Sequence, residues 1–299
     1  MTWKRVATAA VLIPFAVALV LWAPTWALTL GLALVMLLAL FEFFSLGDSI
    51  GHRAYRFWTA TCALLLVFNQ FWATGLPSVD YIAIPREGTT LRLWMERYAE
   101  SSFRFPATVG DVFFIFLLGV TVLTLWTKRP MVEGLPAAGI SSSGLLLVAF
   151  PLTFAIRLHG IPSLGPSLLF FVLVITWIGD SAAYFVGRAI GKHKLAAILS
   201  PNKSWEGSIA SILGALLVAV VFARYVNVPL PHFLAMAVVG NIAGQAGDLL
   251  ESAYKRSAGV KDSGSLLPGH GGVLDRIDAL ILAIPVVWYY WIWIYFPNR

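Results

Sequence analysis

Long apolar runs recur from one end of the sequence to the other, and they constrain the fold more than any other feature. Each run contains about 18 or more residues, which is enough to cross a hydrocarbon core of about 30 Å as a helix. The chain is 59% hydrophobic and only 12% charged, whereas soluble domains average about half apolar and about a quarter charged residues. We therefore predict an all-α, polytopic integral membrane protein.

Nine membrane spans are predicted, with boundaries near 6–23, 26–45, 58–75, 110–127, 140–157, 167–187, 208–226, 232–251 and 278–296. Their orientation follows from the loops, because cytosolic loops carry an excess of lysine and arginine. With the N-terminus in the cytosol, 14 of the 21 basic residues fall on the cytosolic side. Residues 76–109 then form an external loop within an N-terminal transmembrane region, 1–140, which is followed by a C-terminal transmembrane region, 141–299.

Composition excludes several classes of site and partner. Cys62 is the only cysteine, so the chain has no intrachain disulfide and no cysteine-based zinc site. A net charge of +6 would suggest nucleic acid in a soluble protein. Here it is explained by loop lysines and arginines that face anionic lipid headgroups. We expect membrane lipids and no nucleic acid among the partners.

The first polar cluster begins inside the sixth predicted span. Asp180 shares one helical face with Tyr184, Gly187 and Gly191. A carboxylate at that depth costs about 2.5–3.5 kcal/mol on insertion scales, so Asp180 should face a polar cavity and have a partner. The alternative is a buried pair that fixes helix packing, and the two glycines also suit close packing of helices.

Residues 200–204 are predicted to open the seventh helix. Ser200, Asn202, Lys203 and Ser204 would offer a phosphate group backbone N–H groups and positive charge, as helix N-termini do. Simple capping is the alternative, and Glu206 then serves as a first-turn carboxylate.

Two carboxylates follow on the eighth helix, where Asp248 and Glu251 are neighbours at i, i+3. Mg²⁺ is bound through oxygen, usually by one or two carboxylates together with substrate phosphates. We predict Asp248 as a metal ligand and retain Glu251 as a second candidate. The alternatives are that the two carboxylates merely extend to the membrane boundary or pair with Arg256.

The most charged stretch lies between the last two apolar runs, from 252 to 278. Its ionisable side chains are Lys255, Arg256, Lys261, Asp262, His270, Asp275, Arg276 and Asp278. Gly271 and Gly272 belong to a turn whose N–H groups could line an anion site. Asp275 is predicted as a metal ligand, and Asp278 as a second ligand or a partner for Arg276. Both could also be plain first-turn carboxylates.

The remaining candidates are less constrained by the sequence. His270 could act as a base, a phosphate donor or a structural hydrogen bonder, and all three stay open. Glu42 is predicted to have a structural role near the cytosolic interface. The other histidines (His52, His159, His193 and His232) are predicted to be loop residues.

The 252–278 stretch resembles the signature of the phosphatidate cytidylyltransferases, also called CDP-diacylglycerol synthases. The matching positions are Ser252, Lys255, Arg256, Lys261, Asp262, Pro268, His270, Gly271, Gly272, Asp275, Arg276 and Asp278. The segments 180–187 and 200–207 resemble an upstream block of the same family. The resemblance covers about residues 175–280.

This resemblance implies an enzyme that condenses CTP with phosphatidic acid to CDP-diacylglycerol and pyrophosphate, with 141–299 as the catalytic region. It also implies Mg²⁺, a second cation such as K⁺, and a homodimer. With the orientation predicted from the loops, the site faces the cytosol from the cell inner membrane. Asp248 and Asp275 match the metal site. The predicted catalytic residues are Asp180, Lys203, Asp248, Lys255, Arg256, Lys261, His270, Asp275 and Arg276. The predicted phosphate contacts are Ser200, Asn202, Lys203, Ser204, Lys255, Arg256, Lys261, Gly271 and Gly272.

Two alternative functions remain at this point. One is cytidylyl or phosphoryl transfer to another membrane lipid, such as an ether lipid or a polyprenol. The other is a cation- or proton-coupled transporter in which Asp180, Asp248 and Glu251 carry the ions. The sequence has no inverted repeat with paired broken helices, which disfavours the transporter.

Overall fold

Helices make up most of the structure, a computed structural model that describes residues 2–75, 108–127, 130–267, 269 and 271–295. They are α1 (Thr2–Leu21), α2 (Thr25–Ser49), α3 (Arg56–Gly75), α4 (Val109–Trp126), α5 (Gly134–Ser143), α6 (Phe150–His159), α7 (Gly165–Ile190), α8 (Trp205–Tyr225), α9 (Leu230–Ser257) and α10 (Leu274–Tyr290). A 3-10 turn at Met131–Glu133 precedes α5, and π-helical turns at Gly144–Ala149 and Trp291–Tyr295 follow α5 and α10. Two short strands, β1 (Lys194–Ala196) and β2 (Ser200–Ser204), pair antiparallel.

Seven helical segments in the described part of the chain are long and apolar enough to cross a membrane. They are α2, α4, the continuous segment Met131–His159, α7, α8, α9 and the segment Leu274–Tyr295. The prediction of an all-α polytopic membrane protein is therefore confirmed. Helices α1 and α3 coincide with the two other predicted spans but are not among the seven. The count of nine spans and the cytosolic N-terminus stay predictions, as does the division at residue 140. The predicted external loop lies largely outside the described residues.

Local sequence explains several helix starts. Thr108 and Asp111 form a capping box at α4, in which the Thr108 N–H donates to the Asp111 carboxylate at 2.7 Å. Such reciprocal bonds satisfy N–H groups that have no partner within the helix. Proline occupies the first turn of α6, α7 and α9, where its missing N–H is not needed.

The core consists of two apolar clusters, and α10 belongs to both. Leu274 and Ile281 pack with the cluster formed mainly by α2, α3, α4 and the 131–159 segment. Ala283, Ile284 and Val287 pack with the cluster formed mainly by α7, α8 and α9. The helix that carries Asp275, Arg276 and Asp278 is thus held between two groups of helices.

The predicted start of the helix that contains Trp205 is wrong. Residues 200–204 form strand β2 instead of a helix N-terminus, and α8 begins only at Trp205. Pro201 disfavours a helical backbone at Ser200, and pairing with β1 satisfies backbone groups of this segment. Ser204 is the cap, because its hydroxyl accepts the Gly207 N–H at 3.2 Å.

The prediction that the histidines are loop residues is also wrong in two cases. His159 ends α6 and is only 4% exposed. Its ring contacts the Thr25 hydroxyl and the Val20 carbonyl, both at 3.1 Å. His232 lies in the first turn of α9, 3.0 Å from the Tyr290 hydroxyl.

Candidate active site

A cavity of about 370 Å³ gathers polar side chains from β2 and from α7 to α10. The residues predicted for the site that line this cavity are Asp180, Asn202, Lys203, Ser204, Asp248, Asp275, Arg276 and Asp278. Four carboxylates and two basic side chains therefore surround one small volume. Such a volume suits a ligand that carries both phosphate groups and cations.

Close packing of α7 against α8 and α9 shapes one wall of the cavity. A Cβ at Gly179 would lie 2.4 Å from Asn241 Nδ2 and 2.6 Å from Ser211 Oγ. A Cβ at Gly207 would lie 2.9 Å from the Ala183 carbonyl oxygen. Gly187, in turn, lies opposite Gly207. The glycines of this region thus allow helices to approach each other, which was one of the two interpretations of Gly187.

A hydrogen-bonded network of neutral side chains connects α8 to α9 beside this wall. The Ser208 hydroxyl donates to Gln245 Oε1 at 2.5 Å, and Gln245 Nε2 donates to Asn241 Oδ1 at 2.8 Å. Asn241 Nδ2 donates to Ser211 Oγ at 3.0 Å. Ser208, Ser211 and Gln245 line the cavity. The two serines, at i and i+3 on α8, were missed in the sequence, although this spacing places them on one face.

Lys203 and Asp248 form an ion pair at the cavity. The lysine comes from β2 and the aspartate from α9, and Nζ lies 2.6 Å from Oδ2. Both side chains remain partly accessible. Because they are accessible, the Lys203 ammonium group can contact a phosphate group and the Asp248 carboxylate can contact a cation.

Lys255 has a different environment from the one predicted. Its Nζ contacts Glu251, one turn earlier on α9, and lies 2.6 Å from Asp275 Oδ1. The Lys255 side chain is 11% exposed, and its two partners are still more deeply buried. Lys255 and Glu251 do not line the cavity. The lysine instead neutralises the buried carboxylates of Glu251 and Asp275, of which only Asp275 lines the cavity.

Asp275 is held by the preceding loop. Its carboxylate accepts the Gly272 N–H at 2.8 Å and the Ser263 N–H at 3.1 Å, in addition to Lys255. Gly271 has φ +82°, and a Cβ there would lie 2.7 Å from Asp275 Oδ2. The glycine therefore supplies both the left-handed backbone and the space that the carboxylate needs.

A second cavity, of about 580 Å³, adjoins the loop. Its lining residues are Asp262, Gly264, Ser265, Leu267, Gly269, Gly271 and Arg276. Arg276 also lines the first cavity, so one guanidinium borders both volumes. A group that binds in either cavity can be contacted by this side chain.

The structure does not bring every predicted residue to a cavity. Arg256 donates to the carbonyl oxygens of Val260 at 3.0 Å and Leu199 at 3.4 Å, which joins the loop after α9 to the β1–β2 turn. Ser200, Arg256, Lys261 and Gly272 are not lining residues of the two cavities. Pro268 and His270 lie outside the described residues, so the role of His270 stays open.

The carboxylates suit a hard cation. Asp180, Asp248 and Asp278 line the first cavity, and their charges act on one another. In the described part of the chain, no group of three or more His, Cys, Asp or Glu side chains is arranged to hold a metal ion. Mg²⁺ usually takes one or two carboxylates and completes its coordination with water and substrate phosphates. The aspartates of this cavity fit that mode of binding.

Glu42 makes contacts with the loop before α10 that the sequence did not reveal. Its carboxylate accepts the N–H groups of Val273 and Leu274 and the hydroxyl of Ser263. These donors lie more than 200 residues later in the chain. The sequence predicted only a structural role for Glu42 near the cytosolic interface and identified none of these partners.

The fold and the cavity together define a class, helical membrane proteins whose site combines carboxylates with basic side chains for phosphate-bearing ligands. The chain belongs to the cytidylyltransferase family, whose family model matches residues 3–294. The resemblance inferred from the sequence is thereby confirmed.

Individual relatives agree with this membership. The phosphatidate cytidylyltransferase of Haemophilus influenzae is 34% identical over 251 residues, which are 76% of this chain and 85% of the relative. That of Bacillus subtilis is 37% identical over 173 residues, 56% of this chain and 64% of the relative. That of Brucella suis is 41% identical over 177 residues, 58% of this chain and 63% of the relative.

Proposed function

We propose that the protein is a phosphatidate cytidylyltransferase, which condenses CTP with phosphatidic acid to give CDP-diacylglycerol and pyrophosphate. Family membership and the names of the relatives support this function. The observation that carries it at the level of structure is the cavity in which Lys203 and Arg276 meet the aspartates. Both substrates bring phosphate groups, and this cavity offers partners for phosphates and for their cations.

The reaction places modest demands on acid–base chemistry. A phosphate oxygen of phosphatidic acid attacks the α-phosphorus of CTP, and pyrophosphate leaves. This nucleophile is already anionic, so a strong general base is unnecessary. The main requirements are neutralisation of negative charge and in-line positioning of the reacting groups.

Lys203 and Arg276 are the basic side chains that line the cavity, and we assign them to the substrate phosphates. Arg276 borders both cavities, so it can contact the phosphates of either substrate. Asn202 also lines the first cavity and adds a neutral hydrogen-bond donor. Lys255 does not line the cavity, and we assign it an indirect role: it balances the negative charge of Asp275, which does line the cavity.

Mg²⁺, and with it a second cation such as K⁺, is proposed as the cofactor. Asp248 would be the principal ligand, with Asp180 and Asp278 as neighbouring carboxylates. Asp275 stays a predicted ligand, but to contact a cation its carboxylate would have to give up a bond to the loop or to Lys255. When bound, the ion would neutralise phosphate charge and act as a Lewis acid at the α-phosphoryl group.

The location of the site is also part of the proposal. The excess of lysine and arginine on one side supports an active site that faces the cytosol, where CTP is found. We further propose a homodimer in the cell inner membrane, with membrane lipids around it.

Purified protein with CTP, phosphatidic acid and Mg²⁺ tests the function directly. We expect CDP-diacylglycerol and pyrophosphate in equal amounts, and reversible loss of both when EDTA removes the metal. Parallel reactions with an ether lipid, a polyprenol and ATP separate the related transferases. Ion flux in proteoliposomes without nucleotide turnover would instead indicate a transporter. A folded protein that forms no CDP-lipid would contradict the proposal.

A further inference from the structure

We propose that Glu42, on α2, is a positioning residue for the reaction, because its carboxylate fixes the loop before α10 and the first turn of that helix. Through this turn it sets the places of Arg276 and Asp278 at the cavity. Glu42 itself does not line the cavity. The effect on turnover rests on the function proposed above, whereas the effect on the loop does not.

The carboxylate of Glu42 replaces a cap that α10 lacks. The first N–H groups of a helix have no partner within it, and Val273, which precedes α10, has no side-chain acceptor. Glu42 Oε1 accepts the Val273 N–H at 3.0 Å, and Oε2 accepts the Leu274 N–H at 2.9 Å. The N-terminus of α10 is therefore held by a distant helix.

Glu42 and Asp275 also hold the same loop residue. The Ser263 hydroxyl donates to Glu42 Oε2 at 3.0 Å, and the Ser263 N–H donates to Asp275 Oδ2 at 3.1 Å. Ser263 is only 5% exposed. Two carboxylates from different helices thus fix one buried point of the loop that lines the second cavity.

The loop backbone leaves room for this carboxylate. A Cβ at Gly264 would lie 2.7 Å from Glu42 Oε1, and a Cβ at Gly272 would lie 2.3 Å from Oε2. Real Cβ atoms essentially never come so close to another heavy atom. Glycine at both positions is therefore what allows the loop to surround the Glu42 side chain.

The first turn of α10 transmits the effect. Arg276 follows Leu274 by two residues, and its N–H donates to the Val273 carbonyl at 3.0 Å, so it moves with the residues that Glu42 holds. Productive geometry requires placement within about 0.5 Å, and an error of about 1 Å can lower a rate about 100-fold. A small displacement of this turn is therefore sufficient to affect turnover.

The decisive comparison is between Glu42→Gln and wild type. Gln has the same shape but only one acceptor oxygen, so its NH₂ group meets one of the two N–H groups that Glu42 binds. We expect kcat per folded molecule to fall by about 10- to 100-fold, with KM for CTP and phosphatidic acid changed less than about threefold. Glu42→Asp keeps the charge and should recover part of kcat.

Asp111→Asn is the matched control. It removes another carboxylate that caps a helix, in the capping box of α4, which lies outside the cavity. We expect kcat close to that of wild type. An equal loss of kcat in this variant would mean that any helix-start carboxylate matters and would overturn the specific role of Glu42.

Hydrogen exchange tests the same proposal without turnover. The Val273 and Leu274 amides should exchange faster in Glu42→Gln, whereas amides of α8 should keep their wild-type rates. Unchanged exchange at these amides would overturn the proposal, as would kcat per folded molecule within twofold of wild type. If wild type forms no CDP-lipid, the proposed function fails and the exchange rates alone decide the role of Glu42.

Ser263→Ala covers the case in which Glu42→Gln does not fold. It deletes only the hydroxyl that joins the loop to Glu42. We expect faster exchange at the same two amides and a smaller loss of kcat than in Glu42→Gln. Wild-type behaviour in both measurements would contradict the proposal.

Discussion

The ion pair between Lys203 and Asp248 combines the two kinds of partner that a metal–nucleotide complex needs. These side chains form an ion pair with Nζ 2.6 Å from Oδ2. Substrate binding would replace this one contact with two, namely lysine to phosphate and aspartate to cation. The charges of the two partly exposed side chains therefore balance each other.

Substitution of either partner should abolish most activity while the protein stays folded. We expect Lys203→Met and Asp248→Asn each to lower kcat/KM by about 100- to 1,000-fold, the usual effect of removing one group that stabilises transition-state charge. CTP-dependent formation of CDP-diacylglycerol measures this. Lys194→Met, at an exposed position on β1, is the control and should keep wild-type activity.

We expect Lys255 to contribute to the stability of the folded protein as well as to the active site. Removal of one partner of a buried ion pair leaves an uncompensated charge and costs about 3–5 kcal/mol. Lys255→Met leaves Glu251 and Asp275 without their shared cation, so we expect a large fall in the thermal unfolding temperature in detergent. Lys192→Met, which is exposed, should leave that temperature unchanged. Equal unfolding temperatures for the two variants would contradict the assignment.

At the scale of elements, glycine contacts decide how closely α7, α8 and α9 approach. Gly179→Ala would push a methyl group into Asn241 and Ser211, which lie within 2.6 Å of its position. We expect a destabilisation of about 1–3 kcal/mol, typical of overpacking, together with reduced turnover. The unfolding temperature and kcat measure the two effects.

Gly139→Ala is the matched substitution on α5. A Cβ at Gly139 meets nothing within 4 Å, and alanine favours a helix by about 0.5–1 kcal/mol over glycine. We therefore expect unchanged or slightly higher stability and unchanged activity. If both alanine variants behaved alike, helix propensity rather than helix contact would explain the result.

Local spacing predicted the elements of the site better than their connections. Asp180, Asp248 and Asp275 were found because a carboxylate is conspicuous in or beside an apolar span, and the structure brings all three to one cavity. Strand β2 was missed because four polar residues and a proline before a helix match a loop, a strand or a cap equally well. The contacts of Lys255 with Glu251 and Asp275 were not predicted. The sequence does not show whether this lysine binds a carboxylate one turn earlier on its own helix or a phosphate.

The contacts of Glu42 show the limit of sequence spacing. Membrane helices are apolar on most faces, so the hydrophobic pattern does not show which face of α2 meets α10. No short-range rule relates residue 42 to residues 273 and 274. Only the packing of the first apolar cluster, which includes residues of both helices, brings these groups together.

At the scale of the molecule, the N-terminal region contacts the part of the C-terminal region that lines the first cavity. Residues 141–299 contain every side chain that lines the first cavity, but this fragment lacks Glu42 and most of the first apolar cluster. We expect residues 141–299 expressed alone to form no CDP-diacylglycerol, and co-expression with residues 1–140 to restore some activity. Activity of the fragment alone at the full-length level would contradict this.

The bond from Glu42 to α10 also orders events during synthesis. Glu42 is separated from its N–H donors at Val273 and Leu274 by 231 and 232 positions. A ribosome adds about 5–20 residues per second. The interval between the synthesis of Glu42 and that of the first residues of α10 is therefore roughly 10 to 50 seconds. The bonds that hold the loop before α10 can therefore form only after residues 273 and 274 have been synthesised.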